Sequence, residues 1–189
     1  MRLAPPLCER CGAPGPWPVR RCAECAGRRL AFASARAAIA YDGSGRRLGR
    51  TWKEGARRDL VTACAELVAS VVARPAAVTL TFVPGDRERR RTRGHVPAQR
   101  LAAELARCWE LPLEDLVRRT RPVGPPRGLS LAERRSNVRG AFAAESSPAS
   151  VWLVDDVYTT GATANACASA LRRAGARRVD VVCLARALR

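Results

Sequence analysis

Several kinds of residue and segment are scarce in this chain, and each scarcity narrows what it can be. No apolar run is long enough to cross a bilayer: the longest stretches, such as ACAELVASVVA at 63–73, fall well short. The opening MRLAPPLCERC lacks the apolar core of a secretory signal, so the expectation is a cytoplasmic protein with no membrane span. Acidic residues are half as many as basic ones, 17 against 34, leaving a formal charge of +17. Such a balance favours polyanionic partners. The basic side is almost all arginine, with a single lysine, Lys53; arginine excess from coding bias, spread without forming a binding face, fits the composition as well as a nucleic-acid surface does. There is one histidine, His95, in a basic stretch, so imidazole base chemistry has one candidate, equally readable as a solvated side chain. With 189 residues and 47% apolar composition, the chain suits one α/β domain plus a small appendage and has no room for two large domains.

What is present begins with a cysteine head. CERC and CAEC place Cys8, Cys11, Cys22 and Cys25 in two knuckles separated by a segment rich in Gly and Pro. Two knuckles of this spacing bring four thiolates within tetrahedral reach of one zinc, and so short a segment has no hydrophobic core of its own, so that metal would supply its folding energy. Two disulfides are disfavoured in a reducing compartment. A thioredoxin-like CxxC needs one motif before a helix and no second motif. Cys64, Cys108, Cys167 and Cys183 stand singly in apolar patterns and are expected to be small buried hydrophobes.

The body alternates strand and helix patterns. A strand ending near Tyr41 is followed by a Gly-rich turn and a second short extended piece; a helix carries Leu60, Cys64, Leu67, Val68 and Val71 at helical spacing and closes at Pro75. AAVTLTFVP reads as a strand, AQRLAAELARCWEL as a helix and LEDLVRRT as a strand. A long basic segment, RPVGPPRGLSLAERRSNVRGAF, is loop for at least its first half. The fold class is therefore α/β, a mostly parallel sheet with helices on both faces, whose ligands bind outside the carboxyl ends of the strands.

VWLVDDVYTTGAT at 151–163 is the candidate site. A buried strand, 151–154, ends in Asp155 and Asp156 at the sheet rim. Adjacent carboxylates accept hydrogen bonds from a vicinal diol or approach a hard cation such as magnesium. Thr159, Thr160, Gly161, Ala162 and Thr163 precede the helix ANACASALRRA, and their N–H groups and hydroxyls form an anion cradle at its positive end. Gly175 stops that helix before the strand RRVDVVCLAR. A diol acceptor next to a phosphate cradle describes a ribose 5-phosphate site; an acidic turn followed by a Thr-rich cap explains the cradle without the paired aspartates.

LVDDVYTTGAT resembles the diphosphoribosyl-binding motif of type I phosphoribosyltransferases. The four-cysteine head, RTRGHVPAQRLAAELA, ERRSNVRGAF and RRVDVVCLAR resemble, in that order, the ComF family of competence proteins, also called ComFC-like, which is associated with DNA uptake and processing in natural transformation. The resemblance covers almost the whole chain and implies a zinc-binding head over 1–30 and a phosphoribosyltransferase-like domain over 31–189. It implies that Asp155 and Asp156 hold the ribose 2- and 3-hydroxyls of magnesium-bound phosphoribosyl pyrophosphate and that 159–163 hold its 5-phosphate. Arg93 and Gly94 match the family's Arg-Gly pair near the pyrophosphate, Arg134 and Asn137 its Arg-x-x-Asn with Phe142 closing that block, and Lys53 a lysine offered to pyrophosphate oxygens.

The departures cluster on one side. The family's Val-Pro-Val-Pro is here Val83, Pro84, Gly85 and Asp86. Its Arg-Gly-Phe-Asn-Gln becomes Arg93, Gly94, His95, Val96, Pro97, Ala98 and Gln99. Pro126 stands where a Gln is expected. These positions surround the pyrophosphate and acceptor side and leave the ribose phosphate loop intact, so the expectation is retained sugar-phosphate binding with altered or lost turnover. If transfer survives, Lys53 and Arg93 serve the leaving group while Asp155 and Asp156 orient the ribose. The rival expectation is a non-catalytic module that binds single-stranded DNA through its arginines, with 87, 89, 90, 91 and 93 beside an old ribose phosphate pocket. A regulator of the purine-repressor kind needs a winged-helix segment, for which the cysteine head leaves no room.

Overall fold

The computed structural model describes residues 2–188 except 4, 44, 46, 48–50, 52–57, 87–93, 125–132, 134 and 135. Its centre is a four-stranded, all-parallel sheet of β1 (Ser34–Ala40), β2 (Thr79–Phe82), β5 (Ser150–Tyr158) and β6 (Arg178–Arg186), in the spatial order β1-β6-β5-β2. Helices α1 (Arg58–Ala69), α2 (Pro97–Trp109) and α3 (Ala162–Arg173) flank it, and β3 (Arg118–Arg119) pairs with β4 (Phe142–Ala143) as a small antiparallel ribbon. A parallel sheet must be covered on both faces, and the strands show it: all four residues of β2 are buried, as is all of β6 after Arg178.

Each helix buries a stripe. In α2 the buried residues are Ala98, Leu101, Ala102, Leu105 and Trp109, at the spacing of one helical face, with Pro97 pre-set for the first turn. Glu110, at φ 51°, ends the helix with its N–H on Ala106 and Arg107 carbonyls. In α1 the buried stripe is Val61, Cys64, Ala65 and Val68, while Val71 is exposed. This helix stops at Ala69, well before Pro75, and Ser70 turns its hydroxyl onto the Leu67 carbonyl at 2.8 Å.

Three further expectations need correction. β5 does not end at the aspartates but pairs with β6 through Asp155↔Cys183 and on to Tyr158↔Arg186, since β6 offers ladder partners that far while β2 stops at Phe82↔Val154. The piece after Tyr41 is not extended at its described residues, because Gly43, Gly45, Arg47 and Thr51 are helical and Asp42 accepts the Gly45 N–H at 3.1 Å as an N-cap does. Over 113–120 the strand reduces to one parallel bridge, Leu113 to Leu80, and the two residues of β3. Cys64, Cys167 and Cys183 are buried as expected; Cys108, on the outer side of α2, is exposed.

The head packs into the same core. Cys8, Cys11, Ala13 and Cys25 are buried together with Phe32 and the strands of the sheet. Arg186, at the carboxyl end of β6, is 1% exposed and donates to the Cys11 carbonyl and to Glu24 Oε2, each at 2.6 Å. A fully buried guanidinium at that position is held by head groups on one side and by the Tyr158 ring, 4.6 Å away, on the other.

Candidate functional site

The carboxyl end of β2 lies beside the middle of β5, joined past the last ladder pair by the Val83 N–H on the Val154 carbonyl at 2.9 Å. Asp155 and Asp156 are the next residues of β5, and Pro84, Gly85 and Asp86 follow Val83 on the β2 side. The carboxylates are half-buried, and each accepts a neighbouring backbone N–H: Asp156 N–H to Asp155 Oδ1 at 2.8 Å, and Val157 N–H to Asp156 Oδ1 at 2.7 Å. Those bonds fix the two side chains where β5 runs on past the last residue of β2. A cleft of about 220 Å³ opens there, lined by Asp155, Asp156, Asp86, His95, Arg119 and Thr163 among others. A second cleft, of about 160 Å³, is lined by Thr159, Thr160, Thr163, Asn137, Arg119 and Asp86. Thr163, Arg119 and Asp86 belong to both, so the paired carboxylates and the threonine loop face adjoining spaces.

The loop itself is built by Tyr158 and Gly161. Gly161 caps α3 at φ 69°, a left-handed conformation costly for side-chain-bearing residues, and a Cβ there would lie 2.2 Å from the Tyr158 hydroxyl. Tyr158 is buried between Arg186 and an edge-on Phe32, and burial pushes its hydroxyl up to about 12, so it stays neutral beside a phosphate loop. Thr160 is buried and accepts the Ala162 N–H at 3.1 Å. Thr159 is exposed and Thr163 half-buried, which leaves those two hydroxyls as the loop's outward donors. The first-turn N–H groups of Thr163 and Ala164 lack intrahelical acceptors by helix geometry. From behind, Arg28 of the head donates to the Thr160 carbonyl at 3.0 Å, and Asn165 Oδ1 accepts the Ala31 N–H at 2.7 Å.

Of the residues expected to act, Asp155, Asp156, Thr159, Thr160, Gly161, Ala162 and Thr163 are brought together. Gly94 has φ 70° with open space around it. Asn137 lines the second cleft, its amide on the Gly124 carbonyl at 3.0 Å, and Phe142 is buried under Arg119 at 5.0 Å. Lys53, Arg93 and Arg134 lie outside the described residues, as do 87, 89, 90 and 91. His95 is 8% exposed and lines the first cleft, against its reading as a solvated side chain. Two participants escape sequence reasoning. Arg119 looks in LVRRT like one more arginine, and Asp86 like a charge in a basic run; only the convergence of β3 with the ends of β2 and β5 sets both at the clefts.

Four sulfurs form the other site. Those of Cys8, Cys11, Cys22 and Cys25 lie within 4.8 Å of one another, with Cys8–Cys25 at 3.7 Å, Cys11–Cys22 at 3.4 Å and Cys22–Cys25 at 3.9 Å. A tetrahedral thiolate zinc with bonds of about 2.3 Å has sulfur edges of about 3.8 Å, whereas a disulfide needs about 2.05 Å. The cluster therefore has the geometry of a structural zinc site and not of two disulfides. Burial raises the Cys11 and Cys25 thiols. For Cys8 burial also raises it, but the N–H groups around it offset this and leave it at about 7. Without a cation the cluster cannot hold four thiolates together.

Sequence comparison bears on all three features. No family model matches the chain. Competence protein F of Haemophilus influenzae is 39% identical over 101 residues, which takes in 50% of this chain and 44% of that protein. Over this stretch the chain is homologous to competence protein F. The four-cysteine cluster and the parallel sheet flanked by helices agree with the expected α/β fold behind a zinc-type head. Because the match spans less than half of the Haemophilus protein, it does not carry that protein's activity over. Among solved structures, the allosteric regulatory enzyme of purine biosynthesis is 24% identical, covering 71% of this chain and 30% of its own, with a TM-score of 0.47. The glutamine phosphoribosylpyrophosphate amidotransferase from B. subtilis is 23% identical with the same coverage and TM-score. At that level the fold stands on its own strand order. Among the described residues no helix is long and apolar enough to cross a membrane.

Proposed function

We propose that this chain binds phosphoribosyl pyrophosphate, or a closely similar ribose 5-phosphate, with magnesium, and that it serves the handling of DNA in competence. The observation that carries the reading is the shared wall of the two clefts. Asp155 and Asp156 line one, Thr159 and Thr160 the other, and Thr163 both, so that carboxylates for a diol and donors for a 5-phosphate face adjoining spaces. The aspartates accept the ribose hydroxyls; Thr159, Thr163 and the first N–H groups of α3 donate to the phosphate. Magnesium suits the donor set, because it is held by one or two carboxylates plus ligand phosphates and not by an all-protein cage. Asp155, Asp156 and Asp86 supply such carboxylates, and among the described residues only the cysteines form a closed ligand cluster. Arg119, which lines both clefts, is the cation offered to a pyrophosphate, and Lys53 and Arg93, outside the described residues, are those that the family resemblance adds. If transfer occurs, this charge neutralisation is the main demand on the site, since the leaving group gathers negative charge.

Calorimetry tests the reading. Magnesium-dependent binding of phosphoribosyl pyrophosphate is expected for the native chain, and none for Asp155→Asn/Asp156→Asn, in which the diol and the cation lose their charged acceptors. Equal affinity in the two proteins would leave the aspartates a structural role only.

A further inference from the structure

A cavity larger than either cleft adjoins the second of them at Val138 and Ala162. A groove of about 410 Å³ runs between the head and α3, and its walls carry Arg28 and Arg29 from the head, Arg139 from the turn before β4, and Arg173 from the last turn of α3. Among the described residues no carboxylate lines it. Arg29, Arg139 and Arg173 are exposed, and none of them is in an ion pair with a described residue. Arg28 differs, being tied back to the Glu24 and Thr160 carbonyls. The floor is the face of α3 carrying Ala162, Asn165, Ala166 and Ser169, small residues that let a ligand approach the helix closely. From residue 162 to residue 173 that face is about 16 Å long at ~1.5 Å per residue. One phosphate does not need such a length, or cations from three separate elements.

We infer that this groove is a second anion site, which takes a linear row of phosphates along α3. Like charges gathered from the head, the β4 turn and the helix repel one another in the empty groove, and phosphates threaded between them remove that cost. Among the described residues no aromatic side chain lines the groove for base stacking, so recognition is by phosphate and is tolerant of sequence. Two sources share that chemistry, the backbone of a single-stranded nucleic acid and inorganic polyphosphate. The groove meets the second cleft at Val138 and Ala162 but contains neither aspartate, so the aspartate variant separates the two readings.

The test uses the full chain with an oligothymidylate and, separately, linear polyphosphate, titrated over a range of salt. The native chain is expected to bind with log affinity falling linearly in log salt, by about 0.7 per phosphate neutralised. Arg29→Ala/Arg139→Ala/Arg173→Ala should flatten that slope by about two, and Arg139→Ala alone, which keeps the test open if the triple variant folds poorly, by about 0.7. Arg20→Ala/Arg107→Ala/Arg118→Ala removes the same charge elsewhere and should leave the slope in place. Asp155→Asn/Asp156→Asn should bind both probes as the native chain does, which separates failure here from failure of the ribose phosphate reading. Polyphosphate that competes with the oligonucleotide makes either source a ligand; an oligonucleotide that binds alone makes nucleic acid the source. Equal flattening in the two triple variants would show diffuse attraction to a +17 chain and overturn the site, as would no binding of either probe at low salt.

Discussion

Gly161 carries more of the shape of the 159–163 loop than any threonine in it. Its left-handed φ sets the entry to α3, and the Tyr158 hydroxyl occupies the space that a Cβ would take. Gly161→Ala therefore combines a backbone cost of about 1–2 kcal/mol with a displacement of Tyr158 or of the loop. The expected outcome is a chain that folds, with its denaturation midpoint lowered, and loses phosphoribosyl pyrophosphate binding by tenfold or more in calorimetry. Native affinity in this variant would show that the loop conformation is not what the ligand reads. A residue-scale match also appears among the departures from the ComF pattern. Gly85 stands where that pattern has a larger residue, and a Cβ on it would lie 2.7 Å from Val96 Cγ2. Val96 is itself a departure, so the two changes fit each other across the rim of the cleft.

The head is an element that cannot be made from burial alone. Its backbone turns on the Gly12 N–H to the Cys8 carbonyl and the Cys25 N–H to the Cys22 carbonyl, two knuckles that converge sulfurs without a helix or a named strand between them. One zinc per chain is expected on Cys8, Cys11, Cys22 and Cys25, measured by metal analysis of protein purified without added zinc. Less than half an equivalent of any metal, with the thiols oxidised in pairs, would overturn the assignment. The same element braces the site, since Arg28 reaches the Thr160 carbonyl and Ala31 reaches Asn165. That link explains how a metal head and a phosphate loop, far apart in the chain, come to belong to one structure.

At the scale of the molecule, Arg186 joins head to sheet. It bonds Cys11 and Glu24 on the head side and covers Tyr158 on the site side. Removing one partner of a buried ion pair leaves the other uncompensated, so Arg186→Met should cost about 3 kcal/mol. Glu24 keeps some solvent, with its side chain 26% exposed, which sets the expectation at the low end of the range for such pairs. Urea denaturation followed by tryptophan fluorescence is expected to show a midpoint shift of that size with a single transition, head and sheet unfolding together. Two separate transitions in the native chain would show instead that the head is an independent unit.

The elements with strong local patterns were legible before any coordinates. The alternation of buried strands and striped helices, the two CxxC knuckles and the Asp-Asp-x-x-Thr-Thr-Gly run each depend on neighbours in sequence, and burial periodicity, metal spacing and turn chemistry are local physics. The sequence alone therefore determined an α/β chain with a parallel sheet, a four-sulfur cluster and a threonine-glycine turn into a helix. Where strands end was not local: β5 runs through both aspartates because β6 supplies ladder partners as far as Arg186. The roles of Arg119, Asp86 and Arg186 were not local either, because an arginine in an arginine-rich chain has no sequence signal of its own. Only the tertiary structure decided which charges face a cleft, which one is buried at the junction of head and sheet, and which line a groove. Electrostatic function depends on distances between residues that the chain keeps far apart.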